Sequence, residues 1–386
     1  MKLRIVVSTT LGLVLAGLAF LAGCNISKSK GELKIGAILP LTGNISEYGQ
    51  RVKRGMEIAV EDLRQSGTTV KLVIEDDEGS SQKGVAAAGK LTNIDGIRYI
   101  VGAVSSSVTL SILPSTERTR ALLFSPAASS PKLSGASPLF LRNWPSDVLE
   151  GKVLAQYTAG DLAINRVAIF YVNNDYGLGL QDEFSKTFTA AGKAIVFKET
   201  YPLDTRDFRA LVAKYRQQFA SIGAFYLAGY HKDMALATKQ LREGGFRGQI
   251  LGDADYGIPE TVEIAGAAAE GAIYASPWYD AEANDTAKKF ASRFRALYGK
   301  APSEFEGNGY DAVMLIARTI QQQGDNPELV AKQIRSVKGY PGAGGQLTFT
   351  EQGDVVKPIA LMKVHDGKFL KISVTEPIRN VEGGSH

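Results

Sequence analysis

Short apolar runs alternate with amphipathic helical stretches along most of this chain. That alternation admits few folds besides a doubly wound α/β sheet, because parallel strands need a crossover, usually a helix, between them. Residues 33–39 (LKIGAIL) read as a strand, and Val52, Met56, Ala59, Val60 and Leu63 then fall on one helical face. Val70, Leu72 and Ile74 alternate as a second strand ending at Glu75-Asp76-Asp77; a helical pattern covers roughly 82–92, and 97–103 reads as a third strand. The rhythm resumes with strands at 166–172, 194–200, 223–227 and 249–251. Helices fall between them from about 177, at 208–219 and at 233–243, the last closed by Gly244-Gly245. The pattern repeats without any repeat of sequence.

Two strand–helix joins carry the functional signal. The apolar runs 99–104 and 121–124 stop at small residues: Ser105, Ser106 and Ser107 after the first, Ala127, Ala128, Ser129 and Ser130 after the second. Each is expected to turn into a helix, with Pro131 suited to the first helical position. Met singly, such turns are ordinary helix caps. In tandem, at the carboxyl ends of adjacent parallel strands, they lie where open α/β sheets bind ligands. Hydroxyls, backbone N–H groups and positive helix ends converging there would make a receptor for a small anion, and a carboxylate fits it.

The alternation breaks three times, at 140–147 (FLRNWPSD), 272–279 (AIYASPWY) and 344–349 (GGQLTF), and each break reads as a crossing between two lobes. The expected organisation is 33–146 with 279–346 as one lobe and 147–278 with 347–375 as the other. Helices are expected at about 285–298, 310–322 and 328–337. A hairpin of 358–364 and 369–372 turns at Asp366-Gly367, and 376–386 reads as a flexible tail.

Residues 1–24 have a basic start (Lys2, Arg4), an apolar stretch too short for a membrane span, and the ending Leu21-Ala22-Gly23-Cys24. That ending resembles the bacterial lipobox, which implies a signal peptide over 1–23, lipidation of Cys24 and a polar tether over 24–32. Cys24 is the chain's only cysteine, so the exported body would have neither a disulfide nor a thiolate. Over all 386 residues, 44 Lys and Arg stand against 40 Asp and Glu, a balance too even for a nucleic-acid partner, and no basic run interleaves with aromatics.

Assembled in order, several stretches resemble the bacterial leucine/isoleucine/valine-binding protein family, class I solute-binding proteins of ABC importers. They include Leu41-Thr42-Gly43 with Tyr48-Gly49, the Asp76-Asp77 turn, and both serine turns. Asn174-Asp175-Tyr176-Gly177, Ile264-Ala265-Gly266, Gly309-Tyr310-Asp311-Ala312 and Gly345-Gln346-Leu347-Thr348-Phe349 complete the set. The resemblance implies two doubly wound lobes with parallel-sheet cores joined by three crossover strands, shutting by a hinge on a small ligand. It implies that Ser106, Ala127 and Ser129 form a carboxylate receptor: two hydroxyls plus the Ala127 and Ser129 N–H groups. Tyr48, Tyr176 and Tyr230 would line the cleft from both lobes. Members that bind amino acids place a carboxylate after the strand 249–251; an ungapped reading puts Ala254 there, so Asp253 or Asp255 would meet an ammonium group if the loop shifts by one residue, and with neither turned inward the ligand would lack an ammonium. Trp144 and Trp278, at two crossings, are read as a specificity wall or as hinge packing. The implied role is capture of an amino acid with an apolar side chain and delivery to a permease and its ATPase subunits. The protein would act as an exported monomer held at the membrane surface by the Cys24 lipid. A ligand-sensing receptor of the same fold, or a binder of an amide or an organic or aromatic acid, is the alternative.

Other classes fit less well. The three histidines are His231, His365 and His386; His231 follows Tyr230 in the expected cleft, but no serine elbow or metal-binding partner lies near it in sequence. Tyr176-Gly177-Leu178-Gly179 lacks the glycine spacing of a dinucleotide fingerprint. Glu75-Asp76-Asp77-Glu78 reads as a solvated turn rather than a metal site. No catalytic residue, cofactor or metal is expected.

Overall fold

The computed structural model describes residues 32–375. The expected signal peptide, Cys24, most of the tether and the 376–386 tail lie outside the described residues. The first sheet is built from β1 (Leu33–Leu39), β2 (Val70–Asp76), β3 (Tyr99–Gly102), β4 (Leu122–Ser125) and β5 (Phe140–Arg142), in the order β2-β1-β3-β4-β5 and parallel throughout. Helices α1 (Ser46–Gln65), α2 (Ser81–Gly89) and α3 (Ser106–Arg118) make its crossovers. β3 and β4 are buried along their whole length, which is why they read as unbroken apolar runs.

After β5 the chain passes to the second lobe and runs through α4 (Asp147–Ala159), β6 (Arg166–Val172), α5 (Asp175–Ala190), β7 (Ala194–Tyr201) and α6 (Arg209–Tyr215). It continues through β8 (Ala224–Ala228), α7 (His231–Glu243), β9 (Gln249–Gly252), α8 (Pro259–Ala265) and β10 (Ile273–Pro277). It then returns through α9 (Asp285–Tyr298), α10 (Glu304–Gln323) and α11 (Pro327–Arg335). A small antiparallel sheet follows, of β11 (Tyr340–Gly342), β12 (Gly345–Phe349) and β13 (Val355–Val356). Only then do β14 (Ile359–His365) and β15 (Lys368–Val374) complete the second sheet, whose order is β15-β14-β10-β9-β8-β6-β7. β14 and β15 are the antiparallel members of an otherwise parallel core. The chain thus passes between the sheets three times, as two doubly wound lobes with parallel-sheet cores require.

Three expectations need correction. The second serine turn opens no helix: Pro131–Leu133 is a single tight turn, and Gly135 at φ +68° leads the chain directly back toward β5. The third crossing falls later than 344–349. β12 stays with the first lobe, where Phe349 packs edge-on against Phe124 at 6.0 Å, and Asp354 pairs with the buried Arg142 at 2.6 Å. The chain reaches the second sheet only at β14, so a lobe boundary at 346/347 cuts through a paired strand. Finally, α10 starts at Glu304, six residues before the expected Tyr310. Ser303 and Glu306 form a reciprocal capping box at its start.

Candidate functional site

The two serine turns meet. β3 delivers Val104, Ser105 and Ser106 to the start of α3, and β4 delivers Ala127 and Ser129 beside them. Ser106 Oγ accepts hydrogen bonds from the N–H groups of Ser129 (3.2 Å) and Ser130 (3.1 Å). With its lone pairs so engaged, the Ser106 hydroxyl keeps only its proton to give. Ser125 Oγ in turn accepts from the N–H groups of Ala127 and Ala128 and donates to Ala103 O at 2.7 Å. The Ala127 and Ser129 N–H groups expected to point at a ligand are therefore used within the turn, and what faces inward is hydroxyl.

From the first lobe, α1 brings Tyr48. Its hydroxyl lies 2.9 Å from His231 Nδ1 and accepts the His231 backbone N–H at 3.2 Å. From the second lobe, Tyr176 stands in the first turn of α5, where Asn174 Oδ1 accepts the Tyr176 and Gly177 N–H groups. Asn174 Nδ2 donates to the Tyr230 hydroxyl at 3.3 Å. Tyr230 packs on Tyr176 at 5.4 Å and meets Tyr48 edge-on at 5.7 Å. Trp144, after β5, stacks on Phe305 of α10 at 4.7 Å, and Phe305 meets the Tyr48 ring edge-on.

These side chains enclose one cavity. Tyr48, Val104, Ser105, Ser106, Ala127, Ser129, Trp144, Tyr176, Tyr230, Asp255 and Phe305 line it, around a free volume of about 30 Å³. That is room for about one or two waters, so the cleft is nearly closed on itself and must open to admit a solute. Contacts across the gap hold it shut. Ser107 Oγ donates to Asp175 Oδ2 at 2.7 Å, Lys132 pairs with Asp175 at 2.8 Å, and Arg51 meets Glu260 at 3.4 Å.

The two aspartates separate. Asp255 lines the cavity. Asp253 does not: it is fully buried, its Oδ2 accepting Gly229 N–H at 2.7 Å and its Oδ1 accepting Asp255 N–H at 2.9 Å, so it caps the short turn Ala254–Gly257. Burial holds the Asp255 carboxyl well above the usual carboxylate range, with the Tyr48 and Tyr176 hydroxyls drawing it back. Burial likewise pushes Asp147 up to about 7 and holds His231 down at about 4.

Trp278 is not part of the lining; Lys371 Nζ sits 4.6 Å over its ring. The 75–78 carboxylates build a turn, Asp76 accepting the Leu41 and Glu78 N–H groups and Asp77 that of Gly79. Among the described residues, Glu270, just before β10, and His365 and Asp366, at the β14–β15 turn, bring metal-ligand atoms together, but all three are exposed and line no part of the cavity. Sequence reasoning missed Val104, Phe305 and Glu150. The Ser303/Glu306 capping box was the signal for Phe305, and the three-residue spacing from Asp147 was the signal for Glu150.

The sequence profile of the periplasmic binding protein family matches residues 32–368. A Leu/Ile/Val-binding protein homolog of Brucella melitensis is 31% identical over 368 residues, 92% of this chain and 98% of its own length. The Leu/Ile/Val-binding protein of Escherichia coli K12 is 28% identical, covering 88% and 94% respectively. Among solved structures, a leucine-binding protein from Thermotoga maritima superposes with a TM-score of 0.84 at 30% identity, covering 89% of this chain and 99% of its own.

Proposed function

This chain belongs to the periplasmic binding protein family, and we propose that it captures an amino acid with an apolar side chain between its two lobes and hands it to an ABC importer. The carrying observation is a single cavity with hydroxyls on one lobe, a lone carboxylate on the other, and an aromatic wall joining them. The ligand carboxylate would take the Ser106 and Ser129 hydroxyls, with Ala127 beside them. The ammonium would take Asp255, and the apolar side chain would lie on Val104, Trp144 and Phe305. Tyr48, Tyr176 and Tyr230 would close over it, their rings covering apolar surface while their hydroxyls keep partners. Because each lobe holds half of these contacts, a ligand touching both favours the shut state. Asp255 favours an amino acid over an organic or aromatic acid, which offers the carboxylate no cation. Asp253 acts on the turn rather than the ligand. The names of the Brucella, Escherichia and Thermotoga relatives agree with this reading. In it the protein is a binder rather than an enzyme, exported, anchored through lipidated Cys24, monomeric, and partnered by a permease and its ATPase subunits.

The test is a thermal-shift and calorimetric panel of leucine, isoleucine, valine, their amides and benzoate. At 100 times its dissociation constant a ligand stabilises by about 2.7 kcal/mol. Leucine, isoleucine or valine should raise Tm in the wild type and lose that effect in Asp255→Asn. Equal stabilisation by benzoate, or full leucine binding by Asp255→Asn, overturns the assignment.

A further inference from the structure

Behind Asp255 lies a group of carboxyls that ligand contact alone does not explain. Glu150, on α4, is 3% exposed, and its Oε1 accepts at 2.8 Å the N–H of Ala254, the one residue between Asp253 and Asp255. Asp147, three residues earlier on the same helix, is 1% exposed, with the Ser129 hydroxyl beside its carboxyl and no cation bonded to it. Asp253 is fully buried and Asp255 nearly so.

The groups facing this cluster are mostly acids or phenols. From the turn after β9 come Asp253 and Asp255; from α10, Glu304; from α5, Glu183 beside Asp147, and Tyr176; from β8, Tyr226. The cations at its edge are committed elsewhere. Arg142 faces Asp147 but bonds Asp354, Ala128 O, Ser130 O and Ser134. Lys357 faces Glu304 but bonds Asn308 and Gly344 O, and Arg51, also toward Glu304, pairs with Glu47 and Glu260. Several carboxylates in one desolvated space cannot all be ionised without a cation among them.

We infer that Glu150 is a positioning residue of the cation subsite, holding the Ala254–Gly257 turn against the cavity, and that the ligand's ammonium enters this carboxyl cluster in exchange for a proton. The inference rests on the reading of Asp255 as the ammonium's partner. While the site is empty, one or more carboxyls of the cluster stay neutral as the acid. When the ammonium arrives, one carboxyl O–H ionises, its proton leaves to the buffer, and the cluster's added negative charge matches the ligand's positive one. Burial first, and repulsion among neighbours second, hold Glu150 and Asp253 well above the usual carboxylate range, in keeping with such a store of protons. A cation beside these groups favours their ionised form, so protons are released on binding and affinity rises with pH.

The experiment is titration calorimetry of the protein with L-leucine at pH 7 in phosphate and in Tris, whose ionisation heats differ, repeated from pH 6 to 8. The wild type should release about one proton per leucine, with affinity rising up to about tenfold per pH unit where the cluster titrates. Glu150→Gln keeps an oxygen for the Ala254 N–H and should bind leucine with proton release at least halved and a flatter pH profile. Glu150→Ala loses that oxygen too, and its affinity should fall as well. Leucine binding by the wild type with equal heats in both buffers overturns the inference while leaving the ligand assignment intact, and needs no variant to fold. Wild-type proton release in Glu150→Gln overturns the role of Glu150. Absence of leucine binding at every pH overturns the ligand assignment, and the inference with it.

Discussion

Ser106 shows how a side chain acquires direction from the backbone around it. Two N–H groups fill its oxygen, so its proton is left to point into the cavity. Ser106→Ala should therefore do two things at once. Leucine affinity should fall by about 10- to 100-fold for a lost hydrogen bond to a charged group, and folding stability should fall by about 1–3 kcal/mol because the Ser129 and Ser130 N–H groups lose their acceptor. Calorimetry and urea denaturation read the two losses separately; Ser129→Ala should show mainly the first. Hydroxyls at strand ends were legible in the sequence because residue type and position suffice to mark them. The use of the Ser129 N–H by Ser106 Oγ was not legible, because it depends on how two strand ends abut across 23 residues of sequence. The choice between Asp253 and Asp255 was hidden for a similar reason. Neighbouring residues of a tight turn point to different sides, and only the fold says which side is the cavity.

At the scale of elements, the legible features were those with a strong period. β1, α7 and α9 stand close to where apolar spacing puts them. α10 was read short because Gly307 and Gly309 weaken a helical reading, and its first six residues carry Phe305 into the site. The glycines are there for packing. A Cβ at Gly309 would stand 2.4 Å from Val52 O, and one at Gly55 would stand 1.9 Å from Glu306 O, so α1 and α10 approach backbone to backbone. Gly309→Ala improves local helix propensity and should nonetheless lower stability by about 1–3 kcal/mol, since overpacking outweighs the gain. Urea denaturation checks the sign, and a stabilised variant would contradict the observed approach. The late third crossing has the same character. β12 pairs with β11 and β13, a partnership between sequence-distant residues that no local pattern announces.

For the whole molecule, the relation of the lobes turns on contacts such as Tyr48–His231. Burial keeps His231 neutral down to about pH 4, against an ordinary value of 6.5. The neighbouring charges are Lys232 and Arg51, which oppose its protonation, and Glu47, which favours it. An open or unfolded chain accepts the proton that the shut one refuses. The contribution is therefore complete above about pH 6.5 and is lost as pH falls toward 4, by at most about 1.4 kcal/mol per unit. The Tm difference between wild type and His231→Gln should accordingly shrink between pH 7 and pH 5. Taking the difference removes the opposite trend of the buried carboxyls, and a difference independent of pH would show that the ring is free to protonate in place. The two-lobe plan itself was legible from alternation and its three breaks, since crossings interrupt a rhythm that sheets otherwise keep.

The Tyr48–His231 contact joins a side chain of one lobe to both the ring and the backbone amide of the other. Turning the Tyr48 side chain away would release both halves at once, so this latch hangs on a single phenol. In the proposed role, Tyr48→Phe would ease the lobes apart and hasten the escape of a held solute.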